Sequence, residues 1–238
     1  MLYLIGLGLN KDDISVRALE IISKCKKIYL ETYTTKLPYT VKELEKIIKK
    51  KVIEADRELV ENKSKELISE AKTSNVALLI YGDPLAATTH LALINDARKM
   101  KIKIEIIHNA SIFNAIADIG LQLYKFGKTT SLPRWQPNFK PTSFYSIIKE
   151  NLSIGAHTLI LVDIGLSVKE ALAQLVEVDA DDIFKDRIVV IASQLSTKDQ
   201  KIIKGKLSEL KNKIVKEPFS IIIPSQLHFT EAEAIKAY

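Results

Sequence analysis

Short apolar runs alternate with amphipathic segments along the first half of the chain, and this alternation constrains the fold more than any other feature. The clearest case is residues 76–80, an apolar run followed by Tyr81-Gly82-Asp83-Pro84 and then by apolar residues at helical spacing from Thr89. Buried parallel strands are nearly continuous in apolar residues. The run therefore predicts a buried parallel strand that leads through a turn into a helix.

The same pattern recurs and predicts an α/β fold. The predicted strands of the first half are residues 2–9, 27–33, 52–55, 75–81 and 103–108. Helices are predicted after Ser15, with Val16, Leu19 and Ile22 on the buried face, and over residues 41–50, 57–72, 88–100 and 112–119. Strands that alternate with helices favour a mostly parallel sheet covered on both faces.

The second half continues with strands and helices, and we predict two α/β domains, residues 1–110 and 111–238. Ser111 is the predicted N-cap of the helix over residues 112–119. Later strands are predicted over residues 158–164, 187–192 and 219–223, and helices over 143–152, 167–177, 198–213 and from Glu231. Residues 129–142 contain three prolines and Trp135. They are predicted to form a loop, and long loops are often functional.

The composition indicates the class of protein and its surroundings. The 238 residues are 47% hydrophobic and 27% charged, which is typical of a globular protein. Cys25 is the only cysteine, so a reducing compartment is expected. We find no N-terminal signal and no run of the ~20 apolar residues that span a bilayer, so we expect a soluble, cytoplasmic protein with no membrane partner. The net charge of +6 fits either a mixed, lysine-rich surface or an acidic partner.

Two glycine-containing stretches fall short of nucleotide-binding motifs. Gly6 and Gly8 begin a dinucleotide fingerprint, but Lys11 stands where a third glycine would allow close helix packing. Residues 127–129 resemble the end of a phosphate-binding loop, but Gln122 stands where that motif needs a glycine. The first stretch leaves a nicotinamide-dependent enzyme as an alternative, and the second is rejected.

The four histidines, His90, His108, His157 and His228, lie far apart and lack the short spacing of zinc ligands, so we predict no metal. We interpret them as structural, except His228, which follows a predicted strand. Ligands bind outside the carboxyl ends of strands in open α/β sheets. We therefore expect the loops that follow strands to converge on one crevice. These loops are residues 6–12, 82–88, 108–112, 163–167, 193–197 and 224–228.

Several stretches resemble the diphthine synthase family, and their order and spacing fit over nearly the whole chain. They are residues 3–9 with Asp13 and Ile14, 82–90, 107–112, 124–128, 141–145 and 227–233. The N-terminal glycines and Gly82-Asp83-Pro84 are shared more widely by the tetrapyrrole methylase class of S-adenosylmethionine enzymes. The longer form, Gly82 to His90, is similar to diphthine synthases in particular.

The resemblance implies two α/β domains with the methyl donor, S-adenosylmethionine, in the cleft between them. It implies methyl transfer to the amino group of a carboxy-aminopropyl histidine on translation elongation factor 2, a step of diphthamide biosynthesis. It also implies a homodimer. Since no basic run is interleaved with aromatic residues, we expect no direct contact with nucleic acid. By matching position, the donor would contact residues of both halves, namely Leu9, Asp83, Ala86, Ser111, Ile112, Val162, Gln194 and His228.

The chain departs from the family pattern in two places, and three alternative functions stay open. Residues 192–195, Ala-Ser-Gln-Leu, replace a segment that resembles Ala-Arg-Ala-Gly in relatives, and the region after Asp163 is shorter than usual. The alternatives are a related methyltransferase acting on a tetrapyrrole or ribosomal RNA, a nicotinamide-dependent oxidoreductase, and a binding module that uses the loop 129–142. The sequence names no general base.

Overall fold

The computed structural model describes all residues, 1–238, and the chain divides into two compact units. The first unit is Met1–Ala115 and the second is Ile116–Tyr238. Both contain one five-stranded sheet with helices, which confirms the prediction of an α/β protein with two α/β parts. The domain boundary that we predicted after residue 110 stays a prediction.

The sheet of the first unit is entirely parallel, which confirms the prediction for the N-terminal half. Its strands are β1 (Leu2–Gly6), β2 (Lys27–Glu31), β3 (Ile53–Ala55), β4 (Val76–Ile80) and β5 (Ile104–Ile107). Their order across the sheet is β3-β2-β4-β1-β5, and every neighbouring pair is parallel. All five carboxyl ends therefore lie at one edge of this sheet.

Helices cover both faces of this sheet. They are α1 (Val16–Lys24), α2 (Val41–Ile48), α3 (Ser64–Glu70), α4 (His90–Lys99) and α5 (Ile112–Ala115). Successive residues of a strand point to opposite faces, and in β4 Leu78 packs with the residues of α3 and α4 while Leu79 packs with those of α1 and α2. Both faces are therefore buried, as a continuous apolar strand predicts.

Two details of the first unit differ from the sequence prediction. Val16 was expected on the buried face of α1, but it is 73% exposed, and Ala18 and Ile22 are buried instead. The single helix expected over residues 57–72 is a π-helical turn (Glu58–Asn62) followed by α3. The amide of Lys63 reaches back to the carbonyl of Glu58, and this wider turn interrupts the regular α-helical register.

The sheet of the second unit is mixed. Its strands are β6 (Thr130–Leu132), β7 (Thr158–Val162), β8 (Val189–Ser193), β9 (Lys201–Gly205) and β10 (Phe219–Ile223). Their order is β6-β7-β10-β8-β9. Only β6 and β7 are parallel, because β10 is antiparallel to both β7 and β8, and β8 is antiparallel to β9. The helices are α6 (Ser143–Ser153), α7 (Val168–Glu177), α8 (Leu207–Leu210) and α9 (Phe229–Ile235).

Two predictions for the second unit were wrong. Residues 129–142 were expected to be a loop, but Thr130–Leu132 forms β6 beside β7. Residues 198–213 were expected to be one helix, but they contain the strand β9 and only the short helix α8. Ile202 and Ile203 do fit a helical pattern, yet they are β-branched and pair with Ala192 and Ile191 of β8.

Candidate active site

Two glycines join the loops that follow β1 and β4. Gly8 donates to the carbonyl of Gly82 at 3.2 Å, and Gly82 donates to the carbonyl of Gly8 at 2.9 Å. Both glycines have positive φ, 74° and 76°, a region that other residues adopt only with strain. A Cβ on Gly8 would overlap the side chain of Asp13, and a Cβ on Gly6 would lie 2.7 Å from the Gly82 carbonyl oxygen. The backbones of these two loops therefore lie close together at the edge of the sheet.

The loop around Leu9 is fixed by two side chains. The Asp13 carboxylate accepts from the amides of Leu9 at 2.9 Å and Asn10 at 2.8 Å. The hydroxyl of Tyr81 donates to the Leu9 carbonyl at 3.0 Å, and burial raises the pKa of this phenol well above its ordinary value. Leu9, the first residue that the resemblance assigns to the donor, is thus buried and held through its backbone.

Asp83 connects the loop after β4 to the loop after β5. Its Oδ1 accepts from the amide of Leu85 at 2.9 Å. Its Oδ2 accepts from the amide of Asn109 at 3.1 Å and lies 2.8 Å from Nδ1 of His108. A carboxylate offers about four lone-pair positions, so one is left for a ligand.

The segment after Asp83 is held at the carbonyl of Pro84. The hydroxyl of Thr88 donates to it at 2.6 Å, and Nδ1 of His90 lies 2.9 Å from the same oxygen. His90 is buried, in agreement with its structural interpretation. The amide of Ala86 donates to the carbonyl of Asp83 at 3.2 Å, which places Ala86 in the same tight turn.

The loop after β5 completes this edge. The Asn109 side chain donates to the carbonyls of Gly6 at 3.1 Å and Asp13 at 2.9 Å. The hydroxyl of Ser111 accepts from the amide of Phe113 at 3.3 Å, the capping interaction that the sequence predicts at the start of α5. The structure therefore brings together, on three adjoining loops of the first unit, the residues Leu9, Asp83, Ala86, Ser111 and Ile112.

The three candidates of the second unit do not share one edge. Val162 ends β7, and Gln194 follows β8, and both strands run antiparallel to β10. His228 follows β10, so it lies at the opposite edge of this sheet from Val162 and Gln194. The expected convergence of every strand-end loop on one crevice is therefore wrong for this sheet, since its strands are not all parallel.

Gln194 has an unusual environment. Its backbone has a φ of 46°, and its amide donates to the carbonyl of Pro218 at 2.9 Å. Its side-chain Nε2 donates to the carbonyl of Glu217 at 2.6 Å. Its Oε1 is buried and has no hydrogen-bond partner in the protein. Buried polar atoms are almost always paired, so this unpaired acceptor marks Gln194 as an unusual position.

His228 is the N-cap of α9, and Glu231 supports it. The amide of His228 donates to Glu231 Oε2 at 2.7 Å, and the ring Nδ1 lies 2.9 Å from the Thr230 hydroxyl. The spacing of His228 and Glu231 is that of a capping box.

A buried cluster centred on Glu231 holds the loop that carries His228. The Glu231 carboxylate accepts from the amide of Gln122 at 2.9 Å, from Nε2 of His157 at 3.2 Å and from the ammonium of Lys125. Burial alone would raise the pKa of Glu231, but these donors outweigh it and lower the pKa to about 2. Nδ1 of His157 accepts from the amide of Ser225 at 2.9 Å, and burial lowers the pKa of His157.

Sequence reasoning did not predict this cluster. Its local signal is the separation of three residues between His228 and Glu231, which suits a capping box. The contacts with Lys125 and His157 join residues that are distant in sequence. No group of three or more histidine, cysteine or acidic side chains is placed to hold a metal ion. None of the helices has the length and apolar character that a membrane-spanning segment requires.

The family model for the tetrapyrrole (corrin/porphyrin) methylases matches residues 1–211. The diphthine methyl ester synthase of Schizosaccharomyces pombe is 41% identical, over 100% of this chain and 94% of the relative. That of Saccharomyces cerevisiae is also 41% identical, over 98% of this chain and 87% of the relative. The chain belongs to the tetrapyrrole methylase family. Within this family it groups with the diphthine methyl ester synthases.

A solved structure agrees with this assignment. A crystal structure of diphthine synthase superposes with a TM-score of 0.90 at 33% identity and covers 100% of this chain and 95% of the other. This tetrapyrrole methylase family member is therefore an S-adenosylmethionine-dependent methyltransferase, as the resemblance predicts. The family model ends at residue 211, so the helix α9 with His228 and Glu231 lies beyond it, whereas the diphthine methyl ester synthases match the whole chain.

Proposed function

We propose that this methyltransferase modifies the carboxy-aminopropyl histidine of translation elongation factor 2, a step of diphthamide biosynthesis. The observation that carries this proposal is the full-length similarity to diphthine methyl ester synthases. The stretch that most resembles them, Gly82 to His90, forms the tight turn at the carboxyl edge of the first sheet. The proposal extends to a cytoplasmic homodimer.

S-adenosylmethionine, when bound, supplies an activated methyl group on a sulfonium. By position in the family, its contacts are proposed for Leu9, Asp83, Ala86, Ser111, Ile112, Val162, Gln194 and His228. Because His228 lies at the opposite edge of the second sheet from Val162 and Gln194, its contact is proposed from position alone. Two features of the chain suit such a ligand. Gly82 leaves space beside its backbone, since a Cβ there would meet nothing closer than 3.7 Å. Asp83 retains acceptor capacity for a hydroxyl or an ammonium group.

The task of the protein in this reaction is alignment. Methyl transfer is an in-line displacement, so holding the nucleophile and the methyl carbon in line removes much of the barrier. The interlocked loops of Gly8, Gly82 and Asp83 provide a rigid frame for that alignment, because each is fixed by hydrogen bonds to another loop.

The relatives are diphthine methyl ester synthases, so we propose two acceptor groups on the same side chain. One is the amino nitrogen, and the other is the carboxylate oxygen. The two differ in what the protein must do. A carboxylate is already a nucleophile at neutral pH, whereas an ammonium group must first lose a proton.

The docking of elongation factor 2 is proposed to involve the basic net charge and the segment 129–142. A charge of +6 would speed the encounter with an acidic partner. Within the segment, Trp135 packs against the core and donates to the carbonyl of Pro141 at 3.0 Å, so it shapes the segment. Phe139 is 58% exposed, so this apolar side chain is open to a partner.

The proposal is tested with labelled donor and elongation factor 2 that carries the unmethylated carboxy-aminopropyl histidine. Mass spectrometry is expected to find methyl groups on that side chain alone. Mild alkali is expected to remove the methyl of the ester and to leave those on nitrogen. Elongation factor 2 with an unmodified histidine is the control and should take up none. Label that enters a tetrapyrrole or RNA instead would refute the proposed acceptor.

A further inference from the structure

His108 stands at the carboxyl edge of the first sheet, immediately after β5 and beside the candidate donor loops. Its Nδ1 lies 2.8 Å from Oδ2 of Asp83. The side chain of His108 is 66% exposed, whereas that of Asp83 is only 13% exposed. A mostly buried carboxylate therefore holds a mostly exposed imidazole by one of its two nitrogens.

The hydrogen bond fixes which nitrogen of the neutral ring carries the proton. An ionised carboxylate only accepts hydrogen bonds, so Nδ1 of His108 must be the donor. The lone pair of the neutral ring is then on Nε2, which makes no hydrogen bond within the protein. The amide of Asn109 donates to the same Oδ2 of Asp83 at 3.1 Å and helps to fix the carboxylate. A base oriented by a carboxylate is the arrangement that activates nucleophiles in many enzymes.

We propose that His108 is the general base for methylation of the acceptor nitrogen, and this role rests on the proposed function. Nε2 of His108 takes a proton from the acceptor ammonium, which leaves a neutral amine with a free electron pair. The nitrogen then forms a bond to the methyl carbon, the carbon–sulfur bond breaks, and the sulfur keeps that electron pair as a thioether. The new methylammonium carries the positive charge, and His108 passes its proton to water.

Methylation of the carboxylate distinguishes a general base from a residue that only positions the donor or the acceptor. Its oxygen attacks without losing a proton, so ester formation does not need a base. If His108 only positioned the donor or the acceptor, its loss would slow both reactions. If His108 is the base, its loss slows methylation of nitrogen alone.

The decisive variant is His108→Asn, with His108→Ala as the second. The Asn side chain can still donate an N–H to Asp83, but it cannot take a proton at neutral pH. General bases contribute about 10²- to 10⁴-fold to rates, so we expect both variants to methylate nitrogen at least ~100-fold more slowly at pH 7. We expect the deficit to shrink about tenfold for each unit of rising pH, because the amine then loses its proton unaided.

Two further readouts accompany the rate. Calorimetry with the demethylated product of the donor is expected to give the same dissociation constant for the parent and His108→Asn. Ester formation is measured on elongation factor 2 whose acceptor nitrogen is already fully methylated, and its rate is expected to stay within about threefold of the parent.

The outcomes separate the two proposals. Nitrogen methylation by His108→Asn at the parental rate would overturn the role as base. Equal loss of nitrogen and oxygen methylation, or weaker binding of the product, would also overturn it in favour of positioning. A parent protein that methylates neither group would overturn the proposed function and, with it, the role of His108.

Discussion

Each unit contains a histidine paired with a carboxylate, one just after β5 and one just before β7, and the two pairs differ in burial. In the first unit, His108 is 66% exposed and bonds to Asp83. In the second unit, the side chains of His157 and Glu231 are 0% and 1% exposed. His157 uses both ring nitrogens inside the protein, one with Glu231 and one with Ser225. His108 uses only one.

The comparison shows that the surroundings of a histidine–carboxylate pair, more than the pair itself, decide what it can do. A buried charge is stable only when its hydrogen bonds are complete, and Glu231 meets that condition with backbone and side-chain donors. The cluster therefore acts as a support for the loop before α9. The pair with the exposed histidine leaves one ring nitrogen free for chemistry.

The largest effect is expected from Glu231→Ala. Removing one partner of a buried pair leaves His157 and Lys125 without their acceptor, so the free energy of unfolding should fall by about 3 kcal/mol. The matched change in the other pair, Asp83→Ala, should cost about half as much, because its partner His108 is exposed and can bond to water instead. Urea unfolding of both variants measures this. Equal losses would contradict the distinction between the pairs.

The next effect concerns binding of the methyl donor. Here the pair with Asp83 is expected to matter more than the pair with Glu231. Asp83→Ala should weaken binding of the demethylated product by ~1.5–3 kcal/mol, the usual value of a hydrogen bond to a charged group. Asp83→Asn keeps the size of the side chain and serves as the matched control for lost charge. Calorimetry that finds parental affinity in both variants would show that Asp83 is only a turn residue.

A third test compares the two glycines whose backbones join the loops after β1 and β4. Gly8→Ala should destabilise the protein by ~2 kcal/mol, because the new methyl group is strained at positive φ and overlaps Asp13. Gly82→Ala should cost only ~1 kcal/mol, since its Cβ would meet nothing closer than 3.7 Å. Thermal melts of the two variants compare them, and the reverse order would refute this account.

The smallest effect is expected in mildly acid solution, where His157 takes up a proton and Glu231 does not. Burial lowers the pKa of His157, so the fold favours its neutral form, and stability should fall as the pH drops below the ordinary histidine value of 6.5. The pKa of Glu231 is lowered from 4.5 to about 2, so a second loss should follow between these values. Melting temperatures from pH 7 to pH 3 test this. Other carboxyl groups with a lowered pKa, such as Glu43, contribute to the second loss. The variant Glu231→Gln should therefore show a smaller second loss than the parent, and an equal loss would contradict the assignment.

The sequence was sufficient for the parts of the molecule that local patterns determine. The apolar run of β4, the cap at Ser15 and the turn at Gly82 follow from residues that are adjacent in the chain. The direction of β10 could not be predicted, because it depends on which strands pair with it. For the same reason, the sequence did not place His228 at the opposite edge from Gln194.

Prediction of the candidate site from the sequence meets the same limit. The glycines and Asp83 were identified from their turn, but the hydrogen bond between Asp83 and His108 joins two loops separated by a helix and a strand. The strand β9 was missed because Ile202 and Ile203 suit two periodicities, and only pairing with β8 decides between them.

The outermost strand β9 has a consequence for how copies of this chain meet. A strand at the end of a sheet has unpaired backbone groups that can recruit a strand from another molecule, and lysines there discourage such pairing. Lys201 is exposed on β9, and Lys204 extends to the carbonyl of Ile235 at 2.6 Å. Two positive charges within one five-residue strand would repel the same strand of a second copy. Replacing Lys201 with an apolar residue would therefore be expected to promote aggregation while the fold of the monomer is unchanged.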